Sequence, residues 1–167
     1  IKKTQLAVLF LLTTFATTAL AEFRVGSWNL LHFGWNNAKD YNAVAVIASQ
    51  FDFLAVQELM KPAALARLRD VLEQRTGVAW NQIASGAEGR STYQEHYGFI
   101  WRTDKVKYIG GAVSYLDTRD AFAREPFSAL FQRLDTGDEF AFATVHIRFG
   151  DSRADRSPEI LALGEYW

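Results

Sequence analysis

Four polar side chains stand where apolar runs give way to polar ones: Asn29, Glu58, Glu95 and His146. Glu58 closes Phe-Asp-Phe-Leu-Ala-Val-Gln-Glu (51–58). A carboxylate at the end of an apolar strand is costly unless it is paired or holds a metal. One or two protein oxygens, with water and phosphate supplying the rest, suit Mg²⁺. Asn29 offers either a neutral oxygen ligand or a turn-forming tie to backbone. His146 sits near the end of Glu-Phe-Ala-Phe-Ala-Thr-Val-His-Ile (139–147). It reads either as an acid/base group or as a tucked-in histidine bonded to a carbonyl. Glu95 opens a strand after a polar loop, where it orients a histidine or remains a solvated edge charge. Arg124, in Arg-Glu-Pro-Phe, forks onto a phosphate or makes an ordinary salt bridge. His32 and His96 read as supporting or surface groups.

These residues need a scaffold that brings strand ends together. Residues 23–33 read as a first strand and its exit, followed by a turn at Gly34-Trp35-Asn36-Asn37. Val44, Ile47 and Ala48 fall at helical spacing within 40–49, and 51–58 is a second strand. Strand, helix, strand in this order favours a crossover with parallel strands, so Asn29 and Glu58 emerge at one sheet edge. Residues 62–76 are the clearest helix, with Pro62 at its first position, a Leu65, Leu68, Leu72 stripe and Gly77 as its cap. Strands follow at 78–85, 95–102, 105–109, 112–116 and 126–133. Thr103-Asp104 reads as a hairpin turn, as does Asp135-Thr136-Gly137-Asp138 before the strand 139–147. That last strand is apolar on both faces, with Phe140, Phe142, Thr144 and His146 on one of them, so it is expected to be covered on both sides. Ser157 as N-cap and Pro158 as first residue open a final helix. The pattern fits two sheets stacked face to face with helices outside.

Composition sets the outer limits. The 167 residues are 49% hydrophobic, the range of one globular domain. No cysteine is present, so disulfides and thiolate metal sites are excluded within this sequence. Lys2-Lys3, the apolar run from Leu6 to Leu20 and Ala19-Leu20-Ala21 have the form of a secretory signal over residues 1–21, which predicts a secreted or periplasmic protein. Removing them takes away two lysines and no acidic residue. The remaining 146 residues carry a formal charge of −3 instead of −1. That balance disfavours nucleic-acid binding by charge alone, though not an enzyme that touches a few phosphates and brings a cation. The chain starts with Ile and stops at Trp167 inside a helical pattern, which predicts a fragment truncated at its C-terminus.

Five short motifs in order resemble the endonuclease/exonuclease/phosphatase superfamily, in its deoxyribonuclease I-like branch. Ser27-Trp28-Asn29 resembles the first-strand Asn motif, and Ala55-Val56-Gln57-Glu58 the Gln-Glu metal motif. Tyr93-Gln94-Glu95 with the following Tyr97-Gly98-Phe99 resembles the strand whose glutamate supports the catalytic histidine. Arg124-Glu125-Pro126 is similar to the Arg-Glu-Pro of deoxyribonuclease I, and Thr144-Val145-His146 to the catalytic-histidine strand. The resemblance spans 23–167. It implies an α/β four-layer sandwich of two mixed sheets flanked by helices, in which residues 22–167 form the N-terminal part of the domain. It also implies metal-dependent phosphodiester cleavage: Glu58 and Asn29 for Mg²⁺ (or Mn²⁺, with Ca²⁺ as an auxiliary ion), and His146 positioned by Glu95.

Gly89-Arg90-Ser91-Thr92-Tyr93 is similar to the loop that enters the DNA minor groove, which assigns Arg90 to groove width and Tyr93 to stacking on a sugar. Arg124 is assigned to phosphate. Where deoxyribonuclease I has arginines just after the Asn and Gln-Glu motifs, this chain has Leu31 and Met60. The expected protein is a monomeric secreted endonuclease acting on DNA, without stable membrane association. Its rivals are a sphingomyelinase-like phosphodiesterase of lipid headgroups, a toxin-like nuclease subunit and a binding module without catalysis. The family's later Asp-x-Asn and terminal Asp-His do not occur in these residues, so the segment alone is expected to be inactive.

Overall fold

A computed structural model describes residues 22–35 and 39–166. The signal-like residues 1–21, the Asn36-Asn37 part of the first turn and Trp167 lie outside the described residues. The elements are β1 (Val25–Phe33), α1 (Tyr41–Ala48), β2 (Phe53–Leu59), α2 (Pro62–Thr76), β3 (Trp80–Ala84), β4 (His96–Arg102), β5 (Val106–Ser114), β6 (Phe127–Arg133), β7 (Glu139–Thr144) and α3 (Arg153–Tyr166).

Local chemistry accounts for the helix ends. The Asp40 carboxylate accepts from the amides of Asn42 and Ala43 and starts α1. In α2, Pro62 opens the helix, the Leu65, Leu68, Leu72 stripe is fully buried, and Gly77 closes it at φ 67°. The last helix starts five residues earlier than the Ser157-Pro158 signal predicts. Asp155 reaches back to the amide and hydroxyl of Ser152, both at 2.9 Å, so the cap forms there. Pro158 falls inside the helix.

β1, β2, β4 and β3 form one mixed sheet, in that order, with β1 and β2 parallel. The second sheet, β5-β6-β7, is wholly antiparallel among the described residues. Helices α1 and α2 cover the outer face of the first sheet through Leu54, Val56, Leu65 and Leu68. Its inner face meets the second sheet across an aromatic layer of Phe53, Phe99, Trp101, Phe127 and Phe131, joined by Phe140 and Phe142. Helix, sheet and sheet are therefore stacked as expected, the two-sheet α/β architecture. Helix α3 is tied to the loops after β5 and β7, where the buried Glu159 accepts from the Ala123 and Arg148 amides at 3.2 and 3.0 Å, and Tyr166 lies edge-on to Tyr115 at 5.1 Å.

Three sequence expectations change. Thr103-Asp104 does not make a hairpin: β4 and β5 lie in different sheets, and the turn carries the chain across. Val106 and Tyr108 join the inter-sheet layer, and that burial outweighs local strand pairing. The expected strands at 105–109 and 112–116 are one strand, β5, irregular at Gly110 where its register shifts. Finally, β7 ends at Thr144, paired with Phe127, and its outward face is open at Ala141 rather than covered.

Candidate active site

The parallel register sets Asn29 beside Gln57 and puts Glu58 at the same edge. There both strands leave regular geometry. Register shifts between Asn29 and Phe33, and Leu31, His32 and Glu58 adopt φ of 47°, 56° and 55°. Such left-handed conformations in residues other than glycine cost on the order of 1–3 kcal/mol each and gather at functional sites. Here they turn the Glu58 carboxylate to meet Asn29 and His32. Asn29 Nδ2 donates to Glu58 Oε1 at 2.8 Å, and the His32 amide donates to Oε2 at 3.0 Å. Asn29 Oδ1 accepts from the Leu31 amide at 2.8 Å, the turn-forming tie of the two readings, and its Nδ2 aligns the glutamate; its oxygen is not turned toward Glu58 as a metal ligand would be.

His146 lies just past β7 because side chains, not a neighbouring strand, take its backbone. Tyr97 Oη accepts its amide at 2.9 Å, and Arg124 Nε and Nη2 donate to its carbonyl at 3.1 and 2.9 Å. Its ring is held as well. Nδ1 lies 2.6 Å from Oε1 of Glu95, a residue with no exposure. Since a carboxylate can only accept, Nδ1 carries a hydrogen toward Glu95, which leaves Nε2 as the ring nitrogen on the open side. That Nε2 faces Glu58 Oε1 at 3.7 Å. Glu95, His146, Glu58 and Asn29 thus form one continuous chain, drawn from residues 29 to 146.

Electrostatics favour an ionised Glu58. Burial pushes its carboxyl up, but the Asn29 and His32 amide hydrogen bonds and the nearby His146 and His32 rings outweigh it, leaving it below its ordinary value. The Glu58 carboxylate is a hard-oxygen donor, which fits one position of a Mg²⁺ shell completed by water and phosphate, while Asn29 turns its amide N–H to Glu58 and its Oδ1 to the Leu31 amide and so aligns the carboxylate. Among the described residues no three His, Cys, Asp or Glu side chains converge as a metal cage. The fit is therefore through Glu58, with Asn29 in support.

The substrate-side residues fall differently from the sequence reading. Arg124 donates to the His146 and Ile147 carbonyls and lies 3.3 Å from Glu95 Oε1, so its fork is on the main chain of the histidine loop rather than on a phosphate. Arg90, on the exposed surface, is ion-paired with Asp120 Oδ1 at 2.7 Å and Asp117 Oδ2 at 3.3 Å. A cleft of about 330 Å³ runs between Arg90, Tyr93, Arg124 and Arg148. Tyr93 reaches Glu95 Oε2 at 3.4 Å. Burial and the charges of Glu95 and Glu58 push its hydroxyl up to about 12, so it stays neutral.

Of the two readings of His32, the structure shows the supporting one. Its Nε2 lies 3.5 Å from Glu58 Oε2. Its position three residues after Asn29 was visible, but the bulge that folds it back was not. Gln57 was not singled out either; its amide links Ser27 Oγ at 3.0 Å to Thr144 Oγ1 at 2.7 Å and so ties the two sheets beside the site. His96 bonds the Ser85 carbonyl at 3.0 Å, a structural role.

The two stacked sheets with this constellation at one edge define a protein of the endonuclease/exonuclease/phosphatase fold. An endonuclease/exonuclease/phosphatase family protein from Bacteroides thetaiotaomicron superposes with a TM-score of 0.62 at 22% identity, over 86% of this chain and 57% of that one. The human Nocturnin catalytic domain gives 0.55 at 14% identity, over 86% and 58%. In sequence, a deoxyribonuclease of Thioalkalivibrio sp. (strain K90mix) is 53% identical over 159 residues, which is 95% of this chain and 44% of the relative. Human deoxyribonuclease gamma is 31% identical over 156 residues, or 85% and 50%. No family model matches the chain. The chain belongs to the deoxyribonuclease I-like branch of the endonuclease/exonuclease/phosphatase superfamily. It spans about half the length of the curated relatives it matches.

Proposed function

We propose that the protein is a secreted, metal-dependent endonuclease that hydrolyses phosphodiester bonds in DNA. One observation carries this reading. The buried Glu95 carboxylate holds His146 Nδ1 at 2.6 Å, and the free Nε2 edge looks across 3.7 Å at Glu58. The names of the deoxyribonuclease relatives support DNA as substrate. Secretion rests on the signal-like residues 1–21, outside the described part of the chain.

In this mechanism a scissile phosphate enters at the open edge of His146 and Glu58. Nε2, with Nδ1–H fixed by Glu95, accepts a proton from the attacking water or, once protonated, donates to a phosphoryl oxygen. Glu95 keeps the ring in one tautomer and stabilises its charged form. Glu58 would hold Mg²⁺ or Mn²⁺, its carboxylate oriented by Asn29 and the His32 amide, and the bound cation would supply charge neutralisation at the phosphoryl oxygens. The segment alone is proposed to be inactive, because the later Asp-x-Asn and Asp-His that the family resemblance calls for do not occur in these residues.

The test uses the full-length protein on supercoiled plasmid. Nicking is expected with Mg²⁺ and lost with EDTA. His146→Ala should lower it by roughly 10²–10⁴-fold, the size of a general acid–base contribution. A folded His146→Ala variant that nicks at the parental rate overturns the assignment of His146. Absence of nicking by the folded, metal-loaded parent overturns the nuclease.

A further inference from the structure

Beside the catalytic histidine lies an aromatic shelf that the mechanism does not use. Trp35 is 48% exposed, although indole rings are usually buried. Its ring meets His32 edge-on at 5.0 Å and Tyr93 at 6.2 Å, and His32 meets Tyr93 at 5.9 Å. Trp35 also lines a cleft of about 400 Å³ with Met60, Lys61, Thr92, Tyr93 and Gln94. That volume lies within the roughly 300–1,000 Å³ of pockets that take small planar ligands.

The shelf is built rather than incidental. The Trp35 amide donates to the His32 carbonyl at 3.1 Å, and the Met60 amide to the Phe33 carbonyl at 2.8 Å, which clamps the turn to the end of β2. Gly34 makes the clamp possible. Its φ is 87°, and a Cβ there would come within 2.5 Å of the Ala64 Cβ. Two members of the shelf are also fixed to the reaction centre: His32 to Glu58, and Tyr93 to the Glu95 that holds His146.

We infer that the Trp35–Tyr93 cleft takes an unstacked nucleobase next to the scissile phosphate, so that the enzyme acts on single-stranded or locally opened DNA in preference to duplex. The inference rests on the nuclease reading and names the form of its substrate. An exposed indole and a neutral phenol offer π faces that any base can stack on, and Lys61 supplies a cation for the adjoining backbone. A base inside a duplex has both faces covered and cannot reach this surface. The positions flanking the centre agree: Leu31 and Met60 are not cationic and cannot reach for groove phosphates.

The test compares a mixed-sequence oligodeoxynucleotide with the same strand annealed to its complement, using the full-length protein and Mg²⁺. The quantity read is kcat/KM on single strand divided by kcat/KM on duplex. Trp35→Ala should lower that ratio roughly 5- to 100-fold, the range for loss of one base–aromatic stack, and Trp35→Phe should restore most of it. Binding of the single strand to the His146→Ala protein should quench tryptophan fluorescence, and Trp35→Phe in that background should remove the quench. An unchanged ratio, or a quench that persists without Trp35, overturns the shelf. The two failures are separable: if neither DNA form is cut by the folded parent, the nuclease reading falls; if both are cut and Trp35→Ala leaves their ratio unchanged, only this inference falls.

Discussion

Replacing Glu95 with glutamine isolates what the buried carboxylate does for His146. The side chain keeps its shape and loses its charge. In the native site Oε1 takes His146 Nδ1 at 2.6 Å and lies 3.3 Å from Arg124 Nε, while Oε2 takes the Tyr93 hydroxyl at 3.4 Å. A glutamine can turn its carbonyl to His146 and its amide to Tyr93, whose hydroxyl can accept. The geometry then survives, and the histidine bond changes from charge-assisted to neutral. Net values near 1.5–3 kcal/mol for hydrogen bonds to charged groups, against about 0.5–1.5 for neutral ones, put the difference at about 1–2 kcal/mol. Expressed wholly in the transition state, that is roughly 5- to 30-fold in kcat. Arg124 loses its carboxylate but keeps the His146 and Ile147 carbonyls. Stability should therefore fall by about 1–2 kcal/mol, less than the 3–5 of a buried charge stripped of all partners. Steady-state plasmid nicking by the full-length variant, with urea denaturation alongside, should show reduced kcat, KM within about twofold and a folded protein. A folded variant with parental kcat, or one whose loss lies entirely in KM, would refute Glu95 as the positioning group.

Two further perturbations probe the scaffold. Phe53 has no exposure; its ring lies 4.8 Å from both Phe131 and Phe142 across the inter-sheet layer and 5.5 Å from Phe99 in its own sheet. Phe53→Ala should cost about 3–5 kcal/mol in urea denaturation, and a loss below about 1 kcal/mol would mean the sheets are not held through this layer. Glu88 is buried against the Ser114 hydroxyl and near Glu125; burial first, and the Glu125 charge next, raise its carboxyl above the ordinary value. Between the ordinary and the raised value the folded protein holds the extra proton, so native stability falls as pH rises through that window. Glu88→Gln should flatten this fall and gain on the parent as pH moves from 4.5 toward neutrality; a constant difference in melting temperature across that range would count against the raised carboxyl.

Much of the site was legible because its strands end abruptly. Apolar runs that turn polar at Asn29 and Glu58, linked by a short helix, require a parallel crossover, and that alone sets both residues at one edge. Pro62, the leucine stripe and Gly77 determined α2 by local rules of capping and periodicity. The order of the five motifs carried the family. Other features had no local signal, because each depends on a partner distant in sequence. His146 and Glu95 meet across 51 residues, and β7 stops at Thr144 because Tyr97 and Arg124 take the His146 backbone in place of a strand. Arg90 stays exposed but is ion-paired with Asp117 and Asp120, which lie 27 and 30 residues further along the chain. The chain between β4 and β5 passes to the other sheet, where Val106 and Tyr108 pack into the inter-sheet layer beside Phe131 and Trp101. His32 and Trp35 reach the centre only through a bulge whose backbone is strained, and strain of that kind is sustained by tertiary packing, not by the residues that bear it.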